Sequence, residues 1–391
     1  MWYLVVFLCL LFASIYQLRT KKEFNKLYYA LWLLLTVMLC FRYAQGTDYL
    51  TYEFRYYQGD HGMFERGYQL LAQIFRLAHM DFSIFVMCIG LINMVCLNRF
   101  IKRYSSCTIL SLLIAYPTLY LTYFFSALRQ GIAISLFLGL MLECLEKKKY
   151  IFYYLLAFVA ISFHKTSAIF LVVPIGIKFK EKSYYYILAL AGIFAAASRG
   201  PWFQKLCIFL FGKQGAAYTK HTSFFIWGTL ERCVLFALIY FLYHVTNSKE
   251  KENNFQDLLY KVYFMGFIGN IAFSQYFGSR LFGGFKFVEV VLLANLIINI
   301  GFRLLKQGVM MFMSAYLALM VFKNITTYID QGRYGDISPF EYPYISILNK
   351  ERSLERAGYR EQVGVEQAFN LEVYWALPGR EWDWFIRYEN D

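Results

Sequence analysis

Long apolar runs recur between residues 2 and 326, and most of the gaps between them are short and carry lysine or arginine. A run of roughly 17–25 apolar residues matches a bilayer hydrocarbon core about 30 Å thick. Only helices and closed barrels satisfy their backbones in lipid. Barrel strands would show as segments of about ten alternating residues, and the sequence has none. The composition agrees, at 59% hydrophobic, 21% aromatic and only 17% charged. An all-α integral membrane protein is therefore expected, with about 12 membrane-embedded helices. Their spans are 2–17, 27–41, 82–98, 107–124, 128–143, 150–163, 166–178, 184–199, 227–245, 258–276, 281–301 and 308–326. Residues 2–17 lack a basic flank and a small-residue cleavage site, so they are read as a retained first span rather than a signal peptide.

The basic loops set the orientation. Segments 18–26, 98–106, 143–150, 178–183, 247–254 and 303–308 alternate correctly if all face the cytoplasm. The N-terminus, loop 42–81, the turn at 125–128, the tip at 164–165, loop 200–226, the turn at 277–281 and an acidic tail then lie outside. This gives a polytopic membrane domain, 1–327, and an extracytoplasmic tail, 328–391. The net charge of +13 sits mainly in short loops, which suits membrane orientation rather than nucleic-acid binding. The eight cysteines form no CxxC pair and read as buried, inert thiols. The tail holds Trp375, Trp382 and Trp384 and is expected to pack on the outer face.

One apolar stretch, 150–178, is interrupted by His164, Lys165, Thr166 and Ser167. Lysines flank it on both sides, so the chain must go out and return. Two arms of about 13 residues reach only roughly 20 Å at 1.5 Å per residue, so a hairpin of half-helices would hold its tip in a protein-lined or wet cavity. A histidine there is a functional candidate. The other reading is one tilted helix with a polar kink.

The remaining polar residues gather at the outer side. In the external loop, Thr47 or Asp48 can cap a short helix from Tyr49, with Tyr49, Tyr52 and Tyr56 on one face. A second amphipathic helix follows Glu65, with Tyr68, Leu71, Ala72 and Phe75 on its apolar side. Acids among tyrosines suit a sugar site, and they equally suit an interfacial tyrosine belt. Arg129, with Gln130 beside it, lies at the outer mouth of one span and Arg280 at that of another. A guanidinium so placed can clamp a phosphate or pyrophosphate, or simply anchor the helix end. Lys286 and Glu289 read as a structural pair within a span, and Glu231 and Arg232 raise the same choice. No metal-ligand cluster, phosphate loop or nucleophile elbow is present, so no metal and no cofactor are expected.

Four segments carry a resemblance: "FRYAQGTDYLTY" (41–52), "ERGYQLL" (65–71), "SALRQGIAISL" (126–136) and "FHKTSAIFL" (163–171). "SRLFGGF" (279–285) and "YPYISIL" (342–348) add weaker matches. Together they resemble the EpsG family, the Wzy-like polymerases of bacterial exopolysaccharide and O-antigen synthesis. The chain departs from the family at Arg66 and Tyr68, where Pro and Phe are common, and its last forty residues match nothing in it.

The resemblance implies a GT-C-like lipid-linked glycosyltransferase in the bacterial inner (cytoplasmic) membrane, its active site facing the periplasm or exterior. It would transfer a growing undecaprenyl-pyrophosphate-linked glycan onto the non-reducing end of a lipid-linked repeat unit. The implied partners are those lipid-linked oligosaccharides and membrane lipid, with a chain-length regulator and a flippase in the same system. In that frame Arg129 and Arg280 are expected to hold pyrophosphate. Glu65 is the favoured general base, with Asp48 and His164 as rivals, and Arg42, Tyr49, Tyr52, Tyr68 and Gln130 are expected to meet the substrate. A lipid-linked oligosaccharide flippase or transporter and a membrane O-acyltransferase are the alternatives.

Overall fold

A computed structural model describes residues 2–58, 64–198, 201–209, 226–247, 254–273, 278–331 and 337–349. Among the described residues the chain is helical, with loops and one isolated β-bridge. The first helices are α1 (Trp2–Thr20), α2 (Asn25–Cys40), α3 (Tyr49–Gln58), α4 (Arg66–Leu77) and α5 (Phe82–Tyr104). They are followed by α6 (Thr108–Phe124), α7 (Leu128–Glu146), α8 (Tyr150–Phe163), α9 (Lys165–Gly176), α10 (Glu181–Ala197) and α11 (201–209). The last are α12 (Ile226–Asn247), α13 (Asn254–Ala272), α14 (Gly278–Lys286), α15 (Glu289–Ile298) and α16 (Arg303–Gln331).

Six segments of the described residues are long and apolar enough to cross a membrane, namely α1, α5, α7, α12, α14 continued by α15, and α16. These six, among the described residues, are the ones of the expected 12 or so embedded helices that meet that measure. Others are short: α2 has 16 residues, α8 has 14 and α10 has 17, while α13 carries Asp257 and Lys261 near its start. At the lysine-rich end, Arg99 pairs with Glu143 at 2.6 Å and Arg103 with Glu146 at 3.1 Å, tying α5 to α7.

The stretch 150–178 doubles back. α8 ends at Phe163, His164 is extended (φ −154°, ψ 116°), and a 3₁₀ turn restarts the chain at Lys165. The Tyr153 hydroxyl donates to the Phe170 carbonyl at 2.6 Å. Seventeen residues along one continuous helix would lie about 25 Å apart, so the two arms run side by side and the single tilted helix is excluded. The returning arm is held by Phe170, which stacks on Phe137 of α7 at 4.3 Å and meets Phe285 of α14 at 5.7 Å. Gly284 makes that approach possible, because a Cβ there would lie 2.8 Å from the Phe170 ring.

α6 widens into a π-helix from Tyr116 to Phe124. Pro117 has no N–H to give and its ring crowds the preceding turn. The loosened turn is stitched from outside: the Pro117 carbonyl accepts from the Thr122 hydroxyl at 3.1 Å and from the Asn324 amide at 2.9 Å. This distorted turn leads directly into the segment that carries Arg129.

The segment after α16 returns across the ends of α1 and α2. Arg42 and Ser346 form an antiparallel bridge, with Tyr43 N–H donating to the Ile345 carbonyl at 3.0 Å and Ile347 N–H to the Phe41 carbonyl at 2.9 Å. The Gln45 amide donates to the Pro343 carbonyl and the Tyr344 hydroxyl to the Met38 carbonyl, each at 2.8 Å. Residues 337–349 thus strap the start of loop 42–81. Beyond residue 349 the tail, with Trp375, Trp382 and Trp384, lies outside the described residues.

Candidate active site

Glu65, Arg129 and His164, drawn from three separate segments, converge. Glu65 is the N-cap of α4 in extended conformation, yet its side chain makes no cap hydrogen bond to its own helix. The carboxylate instead reaches other elements. Oε2 pairs with Arg129 Nη1. Oε1 accepts from the Lys165 backbone N–H at 3.1 Å and lies 3.6 Å from His164 Nδ1, an ion-pair distance rather than a hydrogen bond. The carboxylate is 9% exposed. Burial alone would push its carboxyl up. The imidazole of His164, the Arg129 guanidinium and the Lys165 amide outweigh burial and hold it at about 2.

Arg129 is the second residue of α7. Its Nε donates to the Tyr52 hydroxyl at 3.3 Å, and its guanidinium carbon lies 4.3 Å from the centre of the Phe64 ring. The cation is therefore held on three sides: by a carboxylate, a phenol and a ring face.

Two glycines bring these parts together. Gly67 sits against the end of α8, where a Cβ would lie 2.8 Å from the Ser162 carbonyl oxygen. Gly46 has φ +100°, and a Cβ on it would lie 2.8 Å from the Phe125 carbonyl carbon, so loop 42–81 can close on the turn before α7 only with glycine there. Gly67→Val is expected to lift α4 from the hairpin tip. The protein should still reach the membrane, with more rapid proteolysis of loop 42–81. Wild-type resistance to limited proteolysis would show that this contact does not hold the site.

The other sequence candidates fall in different places. Arg42 is 1% exposed. Its guanidinium donates to the Leu39 carbonyl at 2.6 Å and to the Phe124 carbonyl at 3.1 Å, and lies 5.1 Å from the Phe125 ring centre. It caps the ends of α2 and α6 from within and is not placed to meet a substrate. The shared face of Tyr49, Tyr52 and Tyr56 is buried. Tyr49 packs edge-on to Phe82, and Tyr52 and Tyr68 lie 5.6 Å apart, each close to Phe64. No open ring face is left for sugar stacking, because α4 and α5 pack on those faces as core. Tyr52 still touches the site through its hydroxyl. Asp48 is exposed at the start of α3 and accepts from the Thr47 hydroxyl at 3.1 Å. Gln130, beside Arg129, is half-buried.

The side chain of Arg280 lies outside the described residues. Its helix is placed by its neighbours: Gly284 lies against Phe170 and Ile134, and Phe285 is 5.7 Å from Phe137. Further along, Asn295 of α15 accepts from the Ser106 N–H at 2.7 Å, at the end of the bundle where Arg103 meets Glu146 of α7. So α14 and α7 start at the same end, with Arg129 and Arg280 each roughly 6–8 Å before the contact of Gly284 with Ile134. Two participants escaped the sequence reading. Phe64, beside Glu65, supplies the ring under Arg129, and the Lys165 backbone amide steadies Glu65. Neither has a sequence signal beyond adjacency to a named residue.

A second polar group lies among the spans. Lys286 Nζ is 3.6 Å from Glu289 Oε1 and 3.9 Å from Glu231 Oε1, and the Tyr316 hydroxyl donates to Glu231 at 2.9 Å. The expected Lys286–Glu289 pair is present, and a second helix brings Glu231 to it. Glu289 is 1% exposed, so its pairing satisfies the requirement that intramembrane charges find partners.

The segments that build this site fall within a stretch that one family model matches, the EpsG family, over residues 25–346. The chain belongs to the EpsG family. No curated protein and no solved structure matches it. The EpsG match spans α2 through the strap, so it includes Glu65, Arg129 and His164 as well as the helix of Arg280. Membership of the EpsG family associates the chain with polysaccharide-polymerase-type activity.

Proposed function

We propose that the protein is a polysaccharide polymerase. It would transfer a growing glycan from undecaprenyl pyrophosphate onto a lipid-linked repeat unit at the outer face of the cytoplasmic membrane. The observation that carries this reading is the convergence of Glu65, Arg129 and His164 at one end of the bundle, within a chain of the EpsG family. An apolar cleft of about 530 Å³ adds support, since it borders the returning arm α9 and is lined by Ile175, Leu190, Met265 and Phe282 among others. An isoprenoid tail lying there would run alongside the arm whose tip bears His164.

The geometry favours His164 over Glu65 as the base. A carboxyl held at about 2 is a weak proton acceptor at neutral pH. Its better role is to lie against the Nδ1 side of the His164 imidazole, 3.6 Å away, which leaves Nε2 as the proton acceptor. In the reaction, Nε2 takes the acceptor hydroxyl proton, the acceptor oxygen bonds to the anomeric carbon, and the bond from that carbon to the phosphate oxygen breaks. Undecaprenyl pyrophosphate leaves with the electron pair. Arg129 and Arg280 stabilise that growing negative charge. Because Arg129 is already paired to Glu65, the exposed Lys165 at the tip is the additional cation for the leaving group.

The test is direct. Purified protein in lipid, given the lipid-linked repeat unit and no nucleotide sugar, is expected to yield a ladder of longer lipid-linked glycans. Movement of the unit across the bilayer without lengthening would make the protein a transporter, the role to which the Lys286–Glu289–Glu231 group would lend itself. Acyl transfer without lengthening would make it an acyltransferase.

A further inference from the structure

Beside the Arg129 cage, α3 and α4 enclose a second cavity of about 100 Å³. Its walls include Arg55 from α3 and Gln69, Gln73 and Arg76 from α4, and Phe64 and Tyr68 form the boundary it shares with the cage. Arg76 is half-buried. One of its donors is fixed to the Tyr56 carbonyl at 3.2 Å, which holds the guanidinium in place. That bond commits one of the five guanidinium donors, and the side chain lines the cavity. The Gln69 amide, anchored to the Phe64 carbonyl at 2.6 Å, is fixed beside it.

Size narrows the occupant. At about 30 Å³ per water, the cavity holds roughly three waters, the bulk of one carboxylate or phosphate group and less than a pyranose ring. Charge narrows it further. The Arg76 guanidinium and the Gln69 amide present donors to it, and a planar oxyanion accepts from such a fork in pairs. Position gives it a purpose: Phe64 lines the cavity and its ring also lies 4.3 Å from the Arg129 guanidinium, so the cavity adjoins the cage.

We propose that this cavity is a subsite for the oxyanion of an acidic sugar, and hence that the glycan this protein handles carries a uronic acid or an equivalent charged substituent close to the bond being formed. The inference rests on the polymerase reading for its context, but its test is one of binding and needs no turnover.

The full-length protein in nanodiscs of zwitterionic lipid is titrated with cellobiouronic acid and, in parallel, with cellobiose. The acidic disaccharide is expected to bind wild type at least about tenfold more tightly than the neutral one, because a charge-assisted pair is lost in the latter. Arg76→Gln should abolish that preference and Arg76→Lys should restore part of it, which separates lost charge from lost packing. Equal binding of the two sugars, or a preference unchanged in Arg76→Gln, overturns the proposal. Stabilisation by phosphatidylglycerol in the nanodisc, with no response to cellobiouronic acid, overturns it too and assigns the cavity to a lipid headgroup. If elongation fails but the acidic preference stands, the polymerase reading falls and the sugar site remains.

Discussion

Replacing His164 by alanine is expected to lower the rate of glycan lengthening by about 10²–10⁴-fold, the usual contribution of a positioned general base, while the protein stays folded in the membrane. The variant leaves Glu65 paired with Arg129 and the Lys165 amide, so the site keeps its architecture and loses its proton acceptor. Glu65→Gln should be less severe, since the amide can still accept from the Lys165 N–H and lie against the imidazole. The measurement is the initial rate of lipid-linked glycan elongation for both variants. Near-normal activity in His164→Ala with silence in Glu65→Gln would return the role of base to Glu65. A pH expectation accompanies this. The Glu65 carboxyl sits below the ordinary carboxylate value of about 4.3, at about 2. Its ion pair is therefore fully present above the ordinary value and is lost only as pH falls toward about 2. Any change in rate between pH 5 and 8 should therefore come from a group other than the Glu65 carboxyl.

Replacing Arg129 by alanine is the second large effect. Loss of a donor aimed at developing charge costs about 10²–10³-fold in rate, and this variant also strands Glu65. In a fully buried pair, removal of one partner costs about 3–5 kcal/mol. The cost is smaller here because Arg129 is 20% exposed. Cells carrying Arg129→Ala should accumulate single repeat units on their carrier lipid and make no ladder. The double variant Arg129→Ala/Glu65→Gln should recover membrane stability, measured by thermal unfolding in detergent, without recovering polymer. A wild-type ladder from Arg129→Ala would remove this residue from the mechanism.

The sequence exposes the members of the site better than their relationships. A charge at the end of an apolar run is conspicuous, and so is a histidine inside one, which is why Arg129 and His164 stand out. Their meeting with Glu65 does not stand out, because it joins positions 64 and 99 residues apart in sequence and depends on Gly67 fitting against Ser162. The consequence is chemical: a carboxylate legible as a base is, once paired, held well below the ordinary carboxylate range. The tyrosines at 49, 52 and 56 show a related limit. Their spacing reveals that they share a face, but not whether that face looks outward, and α5 turns it into core. Arg42 reads as a loop cation beside the site, yet the free carbonyls at the ends of α2 and α6 need donors, and it supplies them from within. Helicity and the apolar runs are legible throughout. The number of full crossings is not, because half-length helices in a hairpin and true spans share one composition.

The strap has a bearing on biogenesis. Its bridge to Arg42 and its bond to Gln45 fix the segment that Gly46 folds onto the turn before Arg129. Those partners are separated by some three hundred residues of chain, 298 in the case of Gln45 and Pro343. The translocon must therefore deliver nearly every helix before the mouth of the site can close, so catalytic competence is a property of the finished, inserted polypeptide rather than of its early, partly threaded forms.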